Sequence, residues 1–144
     1  MSLGDLVISG DLKNNAISVV QLDANTWRIS NLDNTTRING GLAPVQISGV
    51  TDEVFIRLKE GNDTVLLYGE TSPVSIATRL LIDTGAGADK AYIQGVSLGG
   101  DLSVNMGAGN DRFATQLNLF EPIGPASVPG TGVTVGGRTT IDAF

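Results

Sequence analysis

An all-β fold made of stacked repeats is predicted by three features of the sequence. Hydrophobic residues make up 41% of the chain but aromatic ones only 5%, so the core must come from Val, Ile and Leu rather than large rings, a composition that favours strands. The 19 glycines and five prolines punctuate the chain at short intervals, and no stretch of ten or more residues keeps a clean helical stripe without a Gly, Pro or Asn-Asp break. Finally, a Gly-x-Gly-x-Asp turn in "TGAGADKAYI", residues 84–93, almost recurs in "MGAGNDRFAT", residues 106–115. The length of 144 residues suits one domain, 1–144, with one core.

Taken in chain order, residues 1–53 hold alternating strands such as Trp27-Arg28-Ile29 and Val45-Gln46-Ile47 but no full corner motif, which predicts degenerate coils or an N-terminal cap. One weak copy stands there, in "GDLVISGDLKNNAISV", where Ile8 precedes Asn15 by seven positions. Residues 54–117 are regular. Ile56 lies in Val54–Leu58 and precedes Asp63 by seven; Ile82 in Leu80–Thr84 precedes Asp89, and Val104 in Leu102–Met106 precedes Asp111, by the same step. Two positions beyond each corner come Ile17, Val65, Ala91 and Phe113, and four beyond come Val19, Leu67 and Ile93. Residues 118–132, "NLFEPIGPASVPGTG", read as a loop insertion because three prolines forbid regular pairing. Residues 133–144 read as a last coil, with Val135 seven before Asp142 and Phe144 two after it.

Each unit is thus a strand, a Gly-Asn-Asp turn and a second strand, with one face of each strand apolar. Asp63, Asp89, Asp111 and Asp142 are separated by 26, 22 and 31 residues, a loose period of the size of one solenoid coil. A meander of hairpins could space strands similarly. Nothing in a meander requires the corner to recur at a fixed internal offset, whereas a coil stacked on its neighbour must repeat its corner in register. The expected fold is therefore a single-stranded, right-handed parallel β-helix of about six coils. Ile56, Ile82 and Val104 should form one inward column, and Val65, Ala91 and Phe113 another.

"GAGADKA" and "GAGNDRF" resemble the second half of the glycine-aspartate nonapeptide of RTX-type calcium-binding β-rolls. More closely, the series over Val54 to Phe113 resembles the parallel β-helix repeat arrays of large bacterial exported proteins. That resemblance implies a surface, adhesive or structural role for the chain as part of a longer exported protein.

Composition narrows the chemistry. With no His and no Cys, serine-histidine triads, histidine bases, thiolate chemistry and His-ligated zinc are excluded within this chain. Nine basic against fifteen acidic residues, net −6, leave no electrostatic footprint for nucleic acid. No run approaches the roughly 20 apolar residues of a membrane span, and this segment carries no signal peptide.

Eleven of the acids are Asp, the residue suited to tight turns. For Asp63, Asp89 and Asp111 two readings stay open. They could be ligands of Ca²⁺, the one metal the RTX resemblance suggests, although each coil has one such corner instead of two and Lys90 and Arg112 put cations beside them. Alternatively Gly85, Gly87, Gly107 and Gly109 allow positive-φ turns while Asn or Asp satisfies exposed amides, and no cofactor is needed.

A carbohydrate-active enzyme would have to use carboxylates, with Asp83, Asp89, Asp101 and Asp111 brought together on adjacent coils. Trp27 could be a sugar platform, but a tryptophan in an alternating strand is more often core. A non-enzymatic structural or binding module is the favoured reading. Its expected partners are another copy, through open solenoid ends or the Asn118–Gly132 loop, or a cell-surface glycan or protein. "GGRTTIDAF" runs to the last residue in strand pattern, which predicts either a longer natural chain or end-to-end stacking.

Overall fold

The computed structural model describes residues 4–115 and 133–143. They form fourteen strands and no helix. In chain order these are β1 (Leu6–Ser9), β2 (Ala16–Gln21), β3 (Thr26–Asn31), β4 (Val45–Ser48), β5 (Val54–Arg57), β6 (Thr64–Gly69) and β7 (Val74–Ile76). There follow β8 (Arg79–Asp83), β9 (Lys90–Ile93), β10 (Val96–Leu98), β11 (Asp101–Gly107), β12 (Arg112–Ala114), β13 (Val133–Val135) and β14 (Thr139–Ala143).

The strands lie in three sheets, ordered β1-β5-β8-β11-β14, β12-β9-β6-β2-β3-β4 and β13-β10-β7. From β4 onward consecutive strands go to different sheets: β5, β6 and β7 enter the first, second and third, and β8, β9 and β10 enter them again in the same order. Pairing is parallel throughout the first and third sheets and from β2 to β12 in the second. Only β2–β3 and β3–β4 are antiparallel.

Alternation of apolar residues sets the register, because a slip of one residue would turn every inward side chain outward. In the first sheet Ile8, Ile56, Ile82, Val104 and Ile141 are successive partners. In the second, Ile17, Val65, Ala91 and Phe113 align, with Val19, Leu67 and Ile93 beside them. The third contributes Val74 against Val96 and Ile76 against Leu98. All of these side chains but the exposed Ile141 meet in one hydrophobic cluster, with Ile8, Phe113 and Val135 packed at its margin. Both expected columns are present.

The last expected unit is corrected. Val133–Val135 does not precede a corner at Asp142; it pairs with Val96–Leu98 in the third sheet. Asp142 instead lies within β14, opposite Asn105, and Ile141 extends the Ile82–Val104 column. Three alternating apolar residues look alike in either sheet, so the pattern around Val135 could not tell a first-sheet strand from a third-sheet one. Phe144 and the Asn118–Gly132 insertion lie outside the described residues.

Residues 22–53 depart from the stack. After β2 the chain doubles back through β3 and β4, so the second sheet is closed on that side by antiparallel strands. Trp27 on β3 is 1% exposed within the core, which removes it as a surface sugar platform. Thr36 ties the following loop to β2: its Oγ1 accepts the Ala16 amide at 2.8 Å.

Candidate functional site

The corner between the first and second sheets contains the candidate aspartates, and each reaches back one repeat. Asp63 Oδ1 accepts the backbone amide of Asn15 at 2.7 Å. Asp89 Oδ1 accepts that of Asp63 at 2.8 Å, and Asp111 Oδ1 that of Asp89 at 3.0 Å. Main-chain bonds run the opposite way, from the amides of Thr64, Lys90 and Arg112 to the carbonyls of Asn15, Asp63 and Asp89 in the repeat before. A parallel side-chain ladder flanks this one, with Asn14 Oδ1 on the Asn62 amide and Asn62 Oδ1 on the Ala88 amide, each at 2.8 Å. A chain turning a corner leaves amides that no strand can take; here a neighbouring repeat supplies the acceptor, the following one through Asp and the preceding one through Asn.

Glycine makes this approach possible. Gly107 has φ +73, and a Cβ there would lie 1.5 Å from the Gly85 carbonyl oxygen. Only a residue without a side chain permits the backbones to stack so closely.

The other carboxylate oxygens face a different environment. Oδ2 of Asp63, Asp89 and Asp111 is buried and has no hydrogen-bond partner, and Asp63 and Asp89 are 0% exposed. Burial pushes the Asp63 carboxyl up to about 6, helped by the charges of Asp89 and Asp11 and opposed by the Asn15 amide and side chain. Asp89 is also raised, by burial and the Asp111 charge, against the hydrogen bond from the Asp63 amide. The Thr84 hydroxyl nearby donates to the Met106 carbonyl at 3.1 Å.

Ca²⁺ takes six to eight oxygens; each corner acid commits one oxygen to an amide, and the three acids stand on three successive repeats. Among the described residues no group of three or more acids is arranged to hold a metal. Lys90 and Arg112 are exposed, and the Arg112 guanidinium lies 5.7 Å from the centre of the Tyr92 ring.

The carboxylates considered for catalysis are not one constellation. Asp101 opens β11 opposite Arg79, while Asp83 ends β8 opposite Asn105, which separates them along the sheet by roughly 13 Å at ~3.3 Å per residue. Asp101 Oδ1 accepts the Arg138 amide at 2.8 Å, and Asp83 accepts from Asn105 Nδ2 at 3.4 Å.

One structural residue had no signal in the sequence. Gln21 occupies the place a strand would take below β7: its Oε1 accepts the Ser75 amide at 2.7 Å and its Nε2 donates to the Ser75 carbonyl at 3.0 Å. A lone Gln at a strand end has no motif, and only the third sheet reveals what it caps. No protein-family model, characterised protein or solved structure matches this chain.

Proposed function

We propose that the chain is a right-handed parallel β-helix that serves as a non-enzymatic structural or binding module of a larger exported or surface protein. The observation that carries this reading is the corner ladder: the acids that would have to bind a metal or act on a substrate hold the backbone of the neighbouring repeat. Parallel strands recurring in the same order across three sheets support a helical path, and parallel crossovers are right-handed in ~98% of cases. The first sheet contributes five described strands, hence five rungs against the six expected. Strands β3 and β4 serve as an N-terminal cap. The exported setting rests on the resemblance of the corner repeats to those of bacterial exported proteins.

Partners are another copy or a cell-surface glycan or protein. Among the described residues β1 pairs only with β5 and β14 only with β11, and Ile141 is 46% exposed; a second copy adding a strand there continues the first sheet. The Asn118–Gly132 segment is the other contact surface.

Incubation with acidic and neutral polysaccharides, alongside sedimentation across concentrations, tests this function. Unchanged polymers, with self-association weakened by deleting 118–132, are expected. Turnover lost on replacing Asp83, Asp89, Asp101 or Asp111 by Asn would overturn the non-enzymatic reading.

A further inference from the structure

We propose that the cleft between β1 and the β3–β4 cap binds a small carboxylate with an apolar tail. The cleft is a cavity of about 130 Å³. One wall is aliphatic, with Ile8 from β1, Ile17 from β2, Ile29 from β3, Ile47 from β4 and Leu58 beyond β5, while Ser9, Asn15, Thr36 and Asn39 add polar groups beside Arg37. Of these, Ile17, Ile29 and Leu58 belong to the buried core, while Ile8 and Ile47 are only partly covered. An engineered apolar cavity of ~150 Å³ stays dry and takes up benzene, so this one suits a chain or ring of about six carbons.

Charge selects the head group. Arg37 is the one charged residue among the described residues lining the cleft, and no acid lines it, in a chain of net charge −6. Its position is built by the turn that follows. Ile38 and Gly41 exchange backbone hydrogen bonds at 2.7 and 3.1 Å, and Asn39 and Gly40 have φ of 51 and 83, as a tight hairpin turn requires. Arg37 Nη1 donates to the Gly40 carbonyl at 3.4 Å, which leaves further guanidinium donors at the mouth. Asp33, the nearest acid in sequence, does not neutralise it: its oxygens accept the amides and hydroxyls of Thr35 and Thr36. A carboxylate therefore gains the Arg37 cation with no acid in the cleft to compete for it, while its tail packs on the isoleucines.

Titrating the whole chain with hexanoate, hexanol and hexylamine, followed by amide NMR shifts, tests the site. Hexanoate should shift the amides of Ile8, Ile38 and Ile47 with a roughly millimolar dissociation constant, as suits eight heavy atoms. Hexylamine should bind least. Arg37→Ala, at an exposed position, should weaken hexanoate about fivefold and leave hexanol unchanged. Ile47→Trp should abolish binding of both while first-sheet amides stay in place. The proposal is overturned if hexylamine binds as well as hexanoate, if Arg37→Ala changes nothing, if the shifts fall elsewhere, or if no titration shifts these amides.

Discussion

Asp63, where parallel strand β6 begins, and Asp33, in the loop after antiparallel strand β3, are held in opposite electrostatic states. Asp63 lies inside a repeat stack, with one oxygen on an amide and the other buried without a partner, and its carboxyl is pushed up to about 6. At Asp33 burial acts in the same direction, but the amides and hydroxyls of Thr36 and Thr35 outweigh it and lower the carboxyl to about 2. The difference shows what register imposes. In the stack an acid must fit a column whose spacing is fixed by its neighbours, and its second oxygen goes where the column puts it. In the cap the loop wraps around the acid and satisfies both oxygens.

Gly107→Ala breaks the comparison most severely on the stack side. The new Cβ would overlap the Gly85 carbonyl at a residue with φ +73, so the repeats must separate; a loss of about 4 kcal/mol or more is expected in denaturant unfolding. Ile82→Ala comes next. It removes a fully buried side chain partnered on both sides by Ile56 and Val104, and should cost about 3–5 kcal/mol. The same change at Ile47 in the cap, a partly buried position, should cost about 1 kcal/mol. Equal losses at the two sites would show that cap and stack are not energetically distinct.

Acid sharpens the contrast with a smaller effect. Because its folded carboxyl lies below the ordinary 3.8, Asp33 contributes stability that is present above pH ~4 and is lost as pH falls through about 2. Asp33→Asn should therefore lower stability above about pH 4 and flatten the acid limb of the stability curve between about pH 4 and 2. If that limb stays as steep, the Thr35 and Thr36 hydrogen bonds do not favour the ionised form.

What the sequence revealed follows the same division. The columns through Ile56, Ile82 and Val104, and through Val65, Ala91 and Phe113, were legible because stacking demands the same residue type at the same offset in each repeat. The corner acids were legible as turn residues, since glycine and aspartate at that spacing announce the backbone they adopt. The target of their carboxylates was not, because it lies one repeat back, 22 to 48 residues away in the chain. The antiparallel return through β3 and β4 was hidden because alternation is the same for either strand direction. Val133–Val135 was assigned to the wrong sheet for a related reason: three residues of alternating pattern carry no mark of which sheet they enter. Gln21 and Thr36 act as single capping side chains and have no period to find.

If the corner aspartates serve to hold neighbouring backbones rather than a ligand, urea unfolding of Asp63→Asn against the parent chain between pH 4 and pH 7 should show it. Asp63 is raised above 3.8 to about 6, so its contribution is fully present below about pH 4 and is lost as pH rises through about 6. The parent chain should lose on the order of 2 kcal/mol across that window from this residue. Asn keeps the oxygen that accepts the Asn15 amide and carries no charge. The variant should therefore lack that loss and be about 1–2 kcal/mol more stable than the parent at pH 7. A variant that is less stable at pH 7, or a parent that gains many degrees in melting temperature from millimolar Ca²⁺ while the variant gains none, would contradict the account.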